Sequence, residues 1–168
     1  MYKITRVTSE YIETEDRIRL VGLADDGETH VLWFTLRLTN RLIAHCLSIL
    51  TKFSPEISKS AVDERTRSNV QNLIQESATR QIVEEPPVKI KKGSYNCLVK
   101  EIDVSYTSEG LLMTFRATDQ NSYELYLGFQ QLRQWLSMLY LIWQKAEWPA
   151  GIWPDWIVKK DSVQDTKE

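Results

Sequence analysis

The sequence predicts an α+β protein made of two tandem antiparallel three-stranded meander-plus-helix units, related by a pseudo-two-fold axis, sharing one core and bridged by a helical linker. Three observations predict it. The stretches LWFTLRLTNRLIAHCLSILTK (32–52) and LYLGFQQLRQWLSMLYLIWQK (125–145) both run from strand-like alternation into a helical pattern. When the second is shifted back by 93 positions, the difference between Lys145 and Lys52, Leu42, Ile43, Cys46, Ile49 and Leu50 fall on Trp135, Leu136, Leu139, Ile142 and Trp143. That spacing is a helix face. The strands keep the same shift: Leu32, Phe34 and Leu36 fall on Leu125, Leu127 and Phe129, and Ile18, Leu20 and Ala24 on Leu111, Met113 and Ala117.

The first unit, residues 1–53, reads as strands over about 2–12, 16–24 and 29–37 with a helix over about 39–52. ADDGET (24–29) closes its second hairpin, as ATDQNS (117–122) does in the other half; both are polar, Asp-containing turns. Residues 54–94 form the bridge. Ser60 with Asp63 offers a capping box, and Val62, Val70, Leu73, Ile74, Ala78 and Ile82 give a thin apolar stripe for one helix. Pro86 and Pro87 end it and favour extended backbone as far as Gly93.

The second unit, 95–146, reads as strands over about 95–106, 109–117 and 122–129 with a helix over about 130–145. Met138, Tyr140 and Leu141 widen the apolar stripe of this helix until little polar face remains, which predicts burial on all sides, centrally or at an oligomer interface. Residues 147–158, EWPAGIWPDWIV, read as a Trp/Pro strap over that helix, and 159–168 as a disordered tail. In this account Trp148, Trp153 and Trp156 are either partner-binding residues or a lid that seats large rings on the core.

The formal net charge of −2 argues against a protein that coats nucleic acid or anionic membrane by bulk charge. Met1, Lys3, Thr5 and Arg6 precede no apolar run, so no secretory signal is expected and the setting is read as reducing and cytoplasmic. Trp135–Trp143, the longest nearly apolar stretch, is far short of the roughly 20 residues that span a bilayer. Cys46 and Cys97 sit among apolar neighbours and read as reduced core residues. His30, His45 and Cys46 lack a fourth ligand and a recognised spacing, so no metal is expected.

No catalytic motif is visible. The six glycines are scattered, forming no phosphate loop, dinucleotide fingerprint or nucleophile elbow, and no cofactor is expected. The expectation is therefore a non-enzymatic macromolecule-binding module that mediates protein–protein association or self-association. The alternative is a single-stranded nucleic-acid binder. If Leu20, Leu32 and Phe34 face the core, Arg19 and Trp33 face outward, as do Arg116 and Tyr126, with Lys91 and Lys92 extending the surface. Aromatic rings beside arginines on a sheet stack bases and neutralise phosphate. In architecture alone the doubled unit is similar to the Whirly-type single-strand binders, with three strands per unit where that family has four. A small-molecule carrier or an unrecognised enzyme is the third reading.

Overall fold

In a computed structural model, which describes residues 1–53 and 63–158, alternation of apolar and polar side chains sets the strands. They are β1 (Tyr2–Ile12), β2 (Arg17–Ala24), β3 (Thr29–Phe34), β4 (Tyr95–Tyr106), β5 (Gly110–Ala117) and β6 (Ser122–Gly128). The helices are α1 (Leu36–Phe53), α2 (Glu64–Arg80) and α3 (Phe129–Lys145), with short 3-10 turns at Glu13–Glu15 and Ala150–Ile152. Among the described residues, no helix is long and apolar enough to cross a membrane.

The strands close into one six-stranded barrel in the order β1-β2-β3-β4-β5-β6. This corrects the expected pair of meanders. Within each half, successive strands are antiparallel, but β3 also pairs in parallel with β4 (Leu32 opposite Cys97) and β1 with β6 (Ile4 opposite Leu125). A free three-stranded sheet leaves two edges of unpaired N–H and C=O groups; the two halves pair edge to edge over His30–Trp33 with Tyr95–Leu98 and over Tyr2–Ile4 with Tyr123–Leu125, which satisfies part of both. Register shifts between Ile4 and Arg6 and between Val99 and Glu101 mark bulges in β1 and β4, the usual device for bending a strand around a closed sheet.

Helix starts are fixed locally. The Thr35 hydroxyl accepts the Leu38 N–H at 3.3 Å and its carbonyl accepts the Thr39 N–H, so α1 begins at Leu36 and β3 stops three residues short of the expected end. Asp63 caps α2 by accepting the Thr66 N–H at 2.8 Å, which holds its carboxyl below the usual range. The expected partner Ser60, with Val62, lies outside the described residues, as does the expected tail 159–168. At α3 the Gln131 side chain accepts the Gly128 N–H at 3.1 Å.

One face of the strands and the apolar sides of α1 and α3 form a single core. Leu32, Ile43, Cys46, Leu50, Leu111, Met113, Phe115, Leu132 and Leu136 are fully excluded from solvent, and Phe34 meets Phe115 edge to face at 5.3 Å. The strap closes it: Trp143 contacts Trp148 at 5.0 Å and Trp153 at 5.7 Å, both edge to face, and donates its indole N–H to the Pro149 carbonyl. Trp148 and Trp153 are buried. Within the single chain α3 is not covered on all sides, so the central form of its expected burial does not hold for the whole helix. Tyr140 and Trp143 are buried, but Met138 is 43% and Leu141 53% exposed, because α2 and the strap flank that face without meeting over it.

Candidate functional site

The sequence-predicted residues fall on separate parts of the barrel exterior. Arg19 and Trp33 stand directly opposite each other on β2 and β3, and the guanidinium lies 5.8 Å from the indole centroid. Glu10, opposite Arg19 on β1, takes that charge at 2.6 Å, and the Trp33 indole N–H donates to Asn96. Arg116 on β5 donates twice to Asp103, which raises its pKa further. Tyr126, opposite Leu112, is exposed but sits four residues along β5 from Arg116, about 13 Å at strand rise. The Lys91 ammonium donates to the Gly27 carbonyl at 2.7 Å, and Lys92 is exposed. The six do not share a groove, and each arginine is matched by a carboxylate on its own face.

Next to the Arg19–Trp33 pair the exterior is covered by the chain itself. The Val88 N–H donates to the Thr8 hydroxyl at 2.8 Å on β1, and the Lys91 N–H reaches Ser94 and Thr29 beside β3. Val21 and Val31, opposite each other on β2 and β3, are buried, whereas Thr114 and Glu124, opposite each other on β5 and β6, are half-buried.

At one end of the barrel His30 is fully buried against Tyr2 (ring centroids 4.2 Å), Tyr95 (5.3 Å) and Tyr123 (5.1 Å), and neither ring nitrogen has a hydrogen-bond partner among the described residues. Burial lowers its pKa despite Asp26, Glu28 and Asp119 nearby. The Cys97 thiol points at the Tyr123 hydroxyl at 3.6 Å, and burial pushes the Cys46 thiol up to about 12, which removes it as a nucleophile at neutral pH. Among the described residues no group of three or more His, Cys, Asp or Glu side chains could hold a metal ion.

A concavity of about 750 Å³ lies elsewhere, between α2, α3 and the end of the strap. Met138 and Leu141 line it from α3, Asn69, Asn72 and Glu76 from α2, and Trp156 with Val158 from the strap. Buried and half-buried amides hold its walls in place. Gln75 donates to the Arg133 carbonyl at 2.9 Å and to the Ser137 hydroxyl at 2.7 Å, Gln71 donates to the Leu50 carbonyl at 3.0 Å, and Gln134 donates to the Ala78 carbonyl at 3.0 Å. Arg133 donates to Gln71 at 2.7 Å and lies 5.4 Å from the Trp156 ring centroid, joining α2, α3 and strap in one network. A smaller cleft of about 320 Å³, between β1, Pro86–Pro87 and Trp135, shares Ile82 and Met138 with the groove.

Sequence reasoning placed Trp156 among the partner-binding candidates but missed the α2 wall. The available signal was the polar series Ser68, Gln71, Gln75 and Thr79, at helical spacing on a helix with little apolar stripe. Of the three tryptophans only Trp156, half-buried, reaches the groove; Trp148 and Trp153 serve the core. No family model, curated protein or solved structure matches the chain.

Proposed function

We propose that the protein is a non-enzymatic binding module that works by protein association, through the groove between α2, α3 and residues 155–158. The observation that carries this reading is the exposure of Met138 and Leu141 on a helix whose other faces are sealed in the core. Paired apolar side chains in an open groove, rather than scattered singly, are the mark of an interaction site. The alternative use of Arg19, Trp33, Arg116 and Tyr126 for single-stranded nucleic acid is the weaker reading, since both cations are already engaged by Glu10 and Asp103.

The fold is read as a duplicated unit in which only one copy acquired the groove. Ile18 opposite Phe34 in the first half corresponds, at an offset of 93, to Leu111 opposite Leu127 in the second. At that offset Met138 and Leu141 stand where α1 has His45 and Ser48, residues suited to water. Two buried free cysteines fit a reducing, cytoplasmic setting.

The test is a photo-crosslinking side chain placed at 138, at 141 and, as a control, at 116, in cells making the full chain. Adducts of one defined mass from 138 and 141 alone are expected. Adducts from 116 alone, or from none of the three, would overturn the reading.

A further inference from the structure

We infer that the occupant of the groove is an amphipathic α-helix of a partner protein, which seats apolar side chains one turn apart on Met138 and Leu141 and brings a lysine or arginine to Asp155. This rests on reading the groove as a docking surface. Four observations select a helix of this kind.

Among the described residues no strand lines the groove, so an extended partner segment lying there finds no strand edge with which to form a ladder. The groove is lined by side chains of two helices and a short strap, which leave a partner's backbone to satisfy itself. A helix does this internally, and a gap between neighbouring helices accepts the ridge of a third.

Met138 and Leu141 lie three residues apart on α3 and so form a single ridge, matched by apolar anchors at i and i+3 or i+4 on the partner. Methionine adapts its shape to such an anchor.

The charges choose the partner's sign. Among the described residues three charged side chains line the groove: Glu76, Arg80 and Asp155. Arg80 is taken by Glu76 at 3.5 Å, one turn away on α2, while Asp155 has no ion-pair partner among the described residues. A cationic side chain at the strap end of the groove therefore completes a pair that the described residues leave open.

The amides and hydroxyls of Ser68, Asn69 and Asn72 form the opposite rim and suit the polar flank of an amphipathic helix better than a second apolar stripe.

Three synthetic peptides of about 18 residues, some five turns of helix, provide the probe. One carries leucines on a single face with lysines flanking them, the second has glutamates in place of the lysines, and the third has the leucines scrambled. Each is titrated into the isotopically labelled full chain. The lysine-flanked peptide is expected to shift the resonances of Met138, Leu141, Asp155 and Trp156 and to bind at least about tenfold more tightly than the glutamate-flanked one, a difference of about 1.4 kcal/mol. Asp155→Lys should reverse that order. Met138→Glu should remove binding while leaving the melting temperature in place, since the residue is not in the core.

Equal binding of the scrambled peptide, shifts confined to other surfaces, or indifference to Asp155→Lys would overturn the inference. Crosslinks from position 138 that persist while no helical peptide binds would sink the helix and spare the groove; loss of those crosslinks would sink the groove itself. A concentration-dependent dimer in sedimentation that Met138→Glu abolishes would replace the partner helix with a second copy of this chain, and so would also overturn it.

Discussion

Val21 and Val31 stand opposite each other on β2 and β3, on the outside of the barrel, and are 1% and 3% exposed. Buried valines on an outward face require a cover, and the extended segment after α2 supplies it, anchored at Val88 to Thr8 and at Lys91 to Thr29 and to the Gly27 carbonyl. The segment expected only to link two units therefore forms part of the fold. Thr8→Val removes the acceptor of the Val88 N–H. It should cost about 1 kcal/mol in chemical denaturation and speed hydrogen exchange at Val88 before that of β2. Unchanged exchange at Val88 would show that the bond does not hold the segment.

The α2–α3 interface gives a second expectation. Gln75 fills two acceptors on α3, and its carbonyl oxygen accepts from Arg133. Gln75→Leu leaves those buried groups without their partner, at about 1–3 kcal/mol. The loss should be local, with α2 amides losing protection while those of β2 and β5 keep theirs. Uniform loss would mean that α2 unfolds only with the whole molecule.

Mild acid should weaken the fold through His30. Its folded-state pKa is lowered by burial, so the unfolded chain takes up a proton first. The stability this neutral side chain keeps is present above the unfolded value of about 6.5 and is lost as pH falls from there towards the folded value. The denaturation midpoint should drop between pH 7.5 and pH 5, and His30→Phe should flatten that slope. Equal slopes in the two proteins would assign the loss to other groups. The carboxyls of Asp16 and Asp63, both held low by hydrogen bonds, act in a lower window; their stabilisation is present above the ordinary Asp value of about 3.9 and is lost as pH falls below it.

The strap should be indispensable. Trp148 and Trp153 are buried, and Trp148 donates its indole N–H to Asp16 at 2.9 Å, across to the β1–β2 turn. A tryptophan buries about 150–250 Å², worth about 25 cal/mol per Å², so ending the chain before Glu147 should lower the melting temperature sharply or cause aggregation. A truncated chain that melts where the full one does would make the strap a dispensable appendage.

The strands and their inward residues were legible because alternation is a local signal: Ile18, Leu20, Leu111 and Met113 all face the core as read. Barrel closure was not legible, since the β3–β4 and β1–β6 pairings join residues far apart in sequence by backbone bonds that leave no side-chain pattern. Arg19 and Trp33 were correctly placed on one face, but the carboxylate opposite Arg19 depends on the register of β1, which alternation leaves open. The groove was missed for a related reason. Counting apolar residues on α3 predicted burial of Met138 and Leu141, centrally or at an oligomer interface, whereas in the single chain their exposure depends on how far α2 reaches, and α2 docks through glutamines that read as a solvated face.

The most direct measurement of the docking claim is the double substitution Met138→Glu with Leu141→Glu, followed by a thermal melt of the purified chain and by crosslinking from an unaltered groove position, Asn72, in cells. With both side chains in open water, the melting temperature should hold while the crosslinked adduct disappears. A large fall in melting temperature with the adduct retained would place those two residues in the protein's own core and contradict the account.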